Sequence, residues 1–290
     1  MRISHNITAL NTYRQYNTNT VNTNKSMEKL SSGSRINRAA DDAAGLSISE
    51  KMRSQIRGLT QATRNAQDGV SFIQTAEGAL NEVSDMLTRV KELATQVTNG
   101  TYSVNDQTNI GAEMKALGKA VSDIYKNTKF NGTQVFGQLE DDPDGGADSG
   151  KIQLATGAPA QAAKIFYGED GQQSVTIANA TITNMNAFLH AADVANATPA
   201  GVTDTLVENA ITEVNTLRAG YGASQNQLEH ASNNMSTTKE NLQAAESRVR
   251  DVDMAEEMMS YTKNNILLQA AQAMLAQANQ QPQGILQLLQ

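Results

Sequence analysis

The sequence predicts a mainly α fold: a long antiparallel helical coiled-coil rod formed by both chain ends, with a small β-containing outer region in the middle. Three observations carry this. Proline occurs only at Pro143, Pro159, Pro199 and Pro282. Helix interiors exclude proline, which lacks the N–H and clashes with the preceding turn, so residues 1–142 and 200–281 are free to form long helices. Apolar residues recur with a heptad period in both flanks. The chain has no Cys or Trp, 5 Phe and 7 Tyr, so burial must come from Leu, Ile, Val, Met and Ala, which suits closely packed helices. For 290 residues the prior of about 150 per domain suggests two domains. The stripes instead suggest a chain folded back on itself, with both termini at one end.

The first segment, residues 1–30, has a thin apolar stripe of Ile3, Ile7, Leu10, Met27 and Leu30 among Asn and Thr. A strong stripe follows. Leu59, Ala66, Ile73, Leu80, Leu87 and Ala94 form one heptad row, and Ala62, Gly69, Ala76, Val83, Val90 and Val97 form the second. Asn99-Gly100 signals a turn, and a helix is expected over Asn105–Asn127 with Ile110, Met114, Leu117, Val121 and Ile124 on one face. Residues 129–203 read differently. Asp141 to Gly150 is acidic and turn-rich, and alternation at Ile152/Leu154, Ile165/Tyr167 and Val175/Ile177 predicts short strands.

The return flank repeats the heptads, with Val207, Val214, Tyr221, Leu228, Met235, Leu242 and Val249 in one row. Ala210, Leu217, Ser224, Ala231, Thr238, Ala245 and Val252 form the other. Gly220 and Gly222 each cost about 1 kcal/mol relative to Ala inside a helix, which marks a place for a kink. From Met254 onward, Met258, Met259, Ile266, Leu267, Ala270, Met274, Leu275, Leu286 and Leu289 make an apolar surface too large to leave in water. It predicts a partner-seeking amphipathic end.

Charge and motifs narrow the function. With 23 basic and 30 acidic residues and a net charge of −7, the chain lacks the cationic excess a nucleic-acid binder needs. No apolar run reaches signal-peptide or membrane-spanning length, so neither membrane insertion nor a cleaved leader is expected. His5, His190 and His230 have no partner at a metal-ligand spacing. The Asp141–Asp148 run fails the calcium-loop pattern, where Gly146 stands at a ligand position. Gly111 to Lys119 fails the phosphate-loop spacing, and Ala120 replaces Ser/Thr. No cofactor or catalytic constellation is expected. Lys51, Arg53, Arg57 and Arg64 are expected to pair between subunits with Asp41, Asp42, Glu50, Asp251 or Asp253.

At this point the sequence resembles a known family. Ser31 to Leu59 (SSGSRINRAADDAAGLSISEKMRSQIRGL) and Ala66 to Leu80 (AQDGVSFIQTAEGAL) resemble bacterial flagellin. So do Leu228 to Asn234, Asn241 to Met258 and Gln272 to Pro282, and together they cover roughly 1–130 and 205–290. The resemblance implies a structural, non-enzymatic subunit polymerising into the flagellar filament for motility. It implies export through the flagellar type III channel without a cleaved signal peptide, and an extracellular location. It implies residues 1–43 with 254–290 as a filament-core coiled coil, 44–128 with 204–253 as a helical rod, and 129–203 as a variable outer region. Partners implied are other copies of the chain, a flagellar export chaperone at Met258, Met259, Ile266, Leu267, Met274 and Leu275, and the filament cap and hook-junction proteins. The flagellin-sensing Toll-like receptor of animals would meet Arg89, Leu93, Gln96 and Glu113, with Lys91 standing where many recognised members carry Arg. A hook–filament junction protein and, in another class, a coiled-coil signalling module are the alternatives.

Overall fold

The computed structural model describes residues 6–99, 101–136, 164–168, 173–177, 183–194 and 201–288. Among these, helices α1 (Ile7–Ser32), α2 (Ala43–Thr98) and α3 (Val104–Asn127) precede two small antiparallel strand pairs. These are β1 (Lys129–Phe130) with β2 (Thr133–Gln134), and β3 (Lys164–Phe166) with β4 (Ser174–Thr176). Helices α4 (Thr183–Val194), α5 (Asp204–Arg250) and α6 (Met254–Leu288) complete the chain. Long helices at both ends and short strands between them bear out the mainly α prediction. The acidic run at Asp141–Gly150 and the expected strand at Ile152 and Leu154 lie outside the described residues.

The chain divides into two compact units. One comprises Met1–Ile56 and Glu240–Gln290, the other Arg57–Lys239. Both boundaries therefore fall inside α2 and α5.

In the Arg57–Lys239 unit the α2 stripe is the core. Leu59, Ala62, Ala66, Ile73, Ala76, Leu80, Val83, Leu87, Val90, Ala94 and Val97 are all buried, and so is Gly69. From α5, Val207, Ala210, Val214, Tyr221, Leu228 and Met235 are buried. Lys91 pairs with Glu208 at 2.7 Å and Glu77 with Arg218 at 4.0 Å, so rising numbers on α2 meet falling numbers on α5 and the two run antiparallel. The helix α5 is continuous through Gly220 and Gly222.

The α3 face differs from the expected one. Its buried residues are Gly111, Met114, Gly118, Val121, Ser122 and Tyr125, whereas Ile110, Leu117 and Ile124 are half-buried. Glycines at heptad spacing let a neighbour approach the helix axis, which counting apolar side chains cannot detect. That neighbour is α4, which was not anticipated: the region read as strands and turns contains a helix that buries Met185, Phe188, Leu189 and Ala192. Spacings of three, four and seven residues place these on one helical face. Helix α3 starts with a capping box, in which Asp106 N–H donates to Ser103 Oγ at 3.3 Å and Ser103 N–H to Asp106 Oδ2 at 3.2 Å.

The β3–β4 hairpin rests on α2 through Gly69, where any added Cβ would overlap Ile165. Asn65 Nδ2 donates to the Phe166 carbonyl at 3.2 Å. Phe72 meets Phe130 edge-on at 5.7 Å. In β1–β2 the turn residues Asn131 and Gly132 have φ of 49° and 80°, the left-handed pair that a tight two-residue hairpin requires.

Candidate assembly surface

In the other unit, α1 and α6 pack antiparallel. Asn6 Nδ2 donates to Ala278 O at 2.8 Å, Gln272 Nε2 to Tyr16 OH at 3.4 Å, and Lys29 faces Glu257 at 3.8 Å. The residues turned toward this seam are mostly small or polar, with Leu30, Leu268 and Leu275 among them. On α1 they are Ala9, Thr12, Tyr16, Asn19, Thr23, Ser26 and Leu30; on α6 they include Asn264, Leu268, Ala271 and Leu275. Only Ser26 and Ala271 among these are fully buried. Threonine tolerates such a seam because its hydroxyl bonds back to its own helix. Thr12 donates to Thr8 O at 2.9 Å and Thr23 to Asn19 O at 2.8 Å, leaving the methyl to pack.

Most of the larger apolar side chains point away from the seam. Ile7, Leu10, Tyr13, Val21 and Met27 on α1 are exposed, as are Met254, Met258, Met259, Ile266, Leu267 and Met274 on α6. Ala270 is exposed as well. Fully burying one such side chain contributes roughly 1.5–3 kcal/mol, so a pair with its apolar faces outward gains by meeting other surfaces. Of the predicted filament-core residues, Ile7, Leu10, Met27, Ile266, Leu267, Ala270 and Met274 lie on these outward faces, and Leu30 and Leu275 border the seam. Leu286 lies within α6; its side chain, with Ile3 and Leu289, falls outside the described residues.

The junctions at the base of this pair are rigidly tied. Gly33 caps α1 in the left-handed conformation at φ 69°, its N–H donating to Lys29 O at 2.9 Å. Val252 N–H donates to Gly33 O at 3.1 Å and Arg35 N–H to Arg250 O at 2.6 Å, making an antiparallel bridge between Ser34 and Asp251. Asp42 accepts from Gly45 N–H at 2.8 Å to cap α2, and Asp253 accepts from Ala255 and Glu256 N–H at 2.9 and 3.2 Å to cap α6. Ile36 is buried beside Gly45, where an added Cβ would lie 2.8 Å from the Ile36 Cδ1. Arg38 forks onto Glu28 at 3.0 and 3.1 Å.

Of the basic cluster, Arg53 has acidic partners within its own chain. Arg53 pairs with Glu50 at 3.6 Å and Glu246 at 3.7 Å, and Arg250 with Glu50 at 2.8 Å. Two guanidinium groups hold the Glu50 carboxyl below its ordinary range, the Arg250 hydrogen bond being the larger cause.

On the Arg57–Lys239 unit, the receptor-contact candidates separate. Arg89 donates to Glu113 Oε1 through Nε and Nη2, both at 3.1 Å, and to Glu92 Oε2 at 2.9 Å. Gln96 Nε2 donates to Tyr102 OH at 2.8 Å. Leu93, by contrast, is 2% exposed. The heptad rows place Leu93 just beside Ala94, at the buried edge of the stripe. Lys91 is engaged by Glu208.

Among the described residues, the paired chain ends carry most of their large apolar side chains on exposed faces. The known proteins that the chain resembles give its class a name. Residues 3–141 match the bacterial flagellin N-terminal helical region, and residues 205–289 match the C-terminal helical region. A flagellin of Bacillus subtilis (strain 168) is 48% identical across the whole of both chains, and so is a flagellin of Halalkalibacterium halodurans. The flagellar filament 33 kDa core protein of Treponema phagedenis is 42% identical, again over the full length of both. The chain belongs to the flagellin family. Its function is that of a structural subunit of the flagellar filament.

Sequence reasoning missed most of the inward seam of α1 and α6, because its Thr, Asn, Ser and Ala residues carry no apolar signal. It also missed the Ser34–Asp251 bridge, for which Gly33 after Ser32 was the available clue.

Proposed function

We propose that polymerisation is driven by the outward apolar faces of α1 and α6, which pack between neighbouring copies. The single observation that carries this is their inverted pattern: mostly small and polar residues line the intrachain seam while Ile7, Leu10, Ile266, Leu267 and Met274 stand exposed. A head-to-tail contact that does not close on itself generates a helical filament. Ile266→Asp tests this. The site is 61% exposed, so the monomer keeps its helical circular dichroism while seeded filament growth stops. Growth at the unsubstituted rate overturns the reading.

Before assembly the same α6 face needs cover, and an export chaperone contacting Met258, Met259, Ile266, Leu267, Met274 and Leu275 supplies it. Filament and chaperone then exclude each other, so a chaperone-bound subunit does not elongate seeds. Export proceeds through the flagellar channel, and the filament ends at cap and hook-junction proteins. Recognition by the animal Toll-like receptor rests on Arg89, Gln96 and Glu113, since Leu93 faces inward. Receptor binding that is unchanged in Arg89→Ala overturns that assignment. Nothing in the fold or the comparisons favours the junction-protein or signalling-module alternatives.

A further inference from the structure

We propose that the exposed methionines of α1 and α6 are an oxidation site, and that peroxide acting on them before assembly blocks filament growth. The proposal rests on the polymerisation reading above and adds a chemical control to it.

The distribution of methionine carries the argument. Met27, Met254, Met258, Met259 and Met274 are 50, 50, 49, 68 and 60% exposed. Met114, Met185 and Met235, in the Arg57–Lys239 unit, are buried, and Met52 and Met86 are half-buried. Among the described residues every exposed methionine therefore lies on the terminal helix pair. Peroxide reaching the free subunit meets thioethers on the assembly surface first, because susceptibility follows exposure.

The reaction is complete with hydrogen peroxide as oxidant. The sulfur lone pair attacks one peroxide oxygen, the O–O bond breaks and an S–O bond forms. The departing hydroxide takes up a proton to become water, and the sulfur-bound hydroxyl loses one. Sulfur is oxidised by two electrons and peroxide is reduced. The flexible apolar side chain becomes polar, and its new oxygen has no partner when pressed against Ile266- and Leu267-type surfaces, which makes its burial unfavourable. Neighbouring isoleucine and leucine are inert to the same oxidant. Once the faces are buried in a filament, the sulfurs are shielded, so the sensitivity belongs to the unassembled subunit.

The test uses the full-length chain. Free subunits are treated with hydrogen peroxide, sulfoxides are located by peptide mass spectrometry, and seeded elongation is followed by electron microscopy. Sulfoxide is expected at Met27, Met254, Met258, Met259 and Met274 before Met114, Met185 and Met235, with elongation slowed about tenfold or more. Enzymatic reduction of the sulfoxides restores growth, and assembled filaments take up oxygen more slowly. A variant with Met27→Leu, Met254→Leu, Met258→Leu, Met259→Leu and Met274→Leu loses far less of its own untreated elongation rate to peroxide than wild type does. Oxidised subunits that grow at the untreated rate overturn the proposal, as does a leucine variant inhibited equally. If that variant fails to elongate untreated, reductase repair of the wild-type chain decides the matter. Untreated wild-type subunits that do not elongate overturn the polymerisation reading and this proposal with it.

Discussion

Gly118 on α3 and Ala192 on α4 meet so closely that a Cβ added to the glycine would lie 2.8 Å from the alanine Cβ. No real pair of carbons tolerates that distance, so the hydrogen at Gly118 is what lets α4 seat Met185, Phe188 and Leu189. Gly118→Ala must push α4 outward. Overpacking of this kind costs about 1–3 kcal/mol. Thermal unfolding should show a lowered Tm, and an unchanged Tm would mean that α4 yields without loss.

Gly78 on α2 presents the opposite case. Nothing lies within 4 Å of a Cβ placed there, and the same holds at Gly220 on α5. In a helix interior glycine is disfavoured relative to alanine by roughly 0.5–1 kcal/mol, chiefly through backbone entropy. Gly78→Ala and Gly220→Ala should therefore each raise the denaturant midpoint with no change in slope. A drop in either variant would show that the glycine serves a conformation other than this one.

These two sites also show where the sequence was legible. The α2 rows from Leu59 to Val97 and the α5 row from Val207 to Met235 were readable because side-chain burial and heptad period coincide there. On α3 they part. Gly111 and Gly118 bury backbone rather than side chain, so of the expected face Met114 and Val121 are buried while Ile110, Leu117 and Ile124 sit at its half-buried edge. Helix α4 carried its period in Met185, Phe188, Leu189 and Ala192, but it sat amid a segment whose turn residues and alternations pointed to strands. The terminal pair inverts the usual rule. Apolar residues such as Ile7 and Ile266 were visible in the sequence, yet they face outward, while the seam is built largely from residues such as Thr12, Thr23, Ser26 and Asn264, which apolar patterning ignores.

The Glu50–Arg250 pair predicts an acid sensitivity of the terminal unit. The carboxyl of Glu50 is held below its ordinary value of 4.5 by the Arg250 hydrogen bond first and by Arg53 as well. A group whose folded pKa is depressed adds stability above its unfolded pKa and loses it as pH falls through the folded value. The contribution is thus intact near neutrality and decays below 4.5. Asp41 acts in the same direction, since the N–H groups of Arg38 and Asn37 hold its charged form. Arg250→Ala should flatten the acid limb of the pH–Tm curve. An identical limb in wild type and variant would remove Glu50 from the account.

Tyr221 sets the alkaline limb. Burial in the α5 row pushes its phenol up from 10.0 to about 12, and burial pushes Tyr125 up further still. The neutral form is the one the fold retains, so in the unfolded chain the proton leaves at lower pH than in the native one. Stability is therefore fully present below the ordinary value of 10.0 and falls as pH rises through the folded value. At 1.36 kcal/mol per unit, Tyr221 alone accounts for a loss of about 2–3 kcal/mol across that range. Tyrosinate absorbance of the native protein should lag that of the denatured chain, and Tyr221→Phe should lessen the decline in Tm above pH 10. If Tyr221→Phe declines as steeply as wild type, the limb belongs to Tyr125, which a second Tyr125→Phe substitution would show by flattening it.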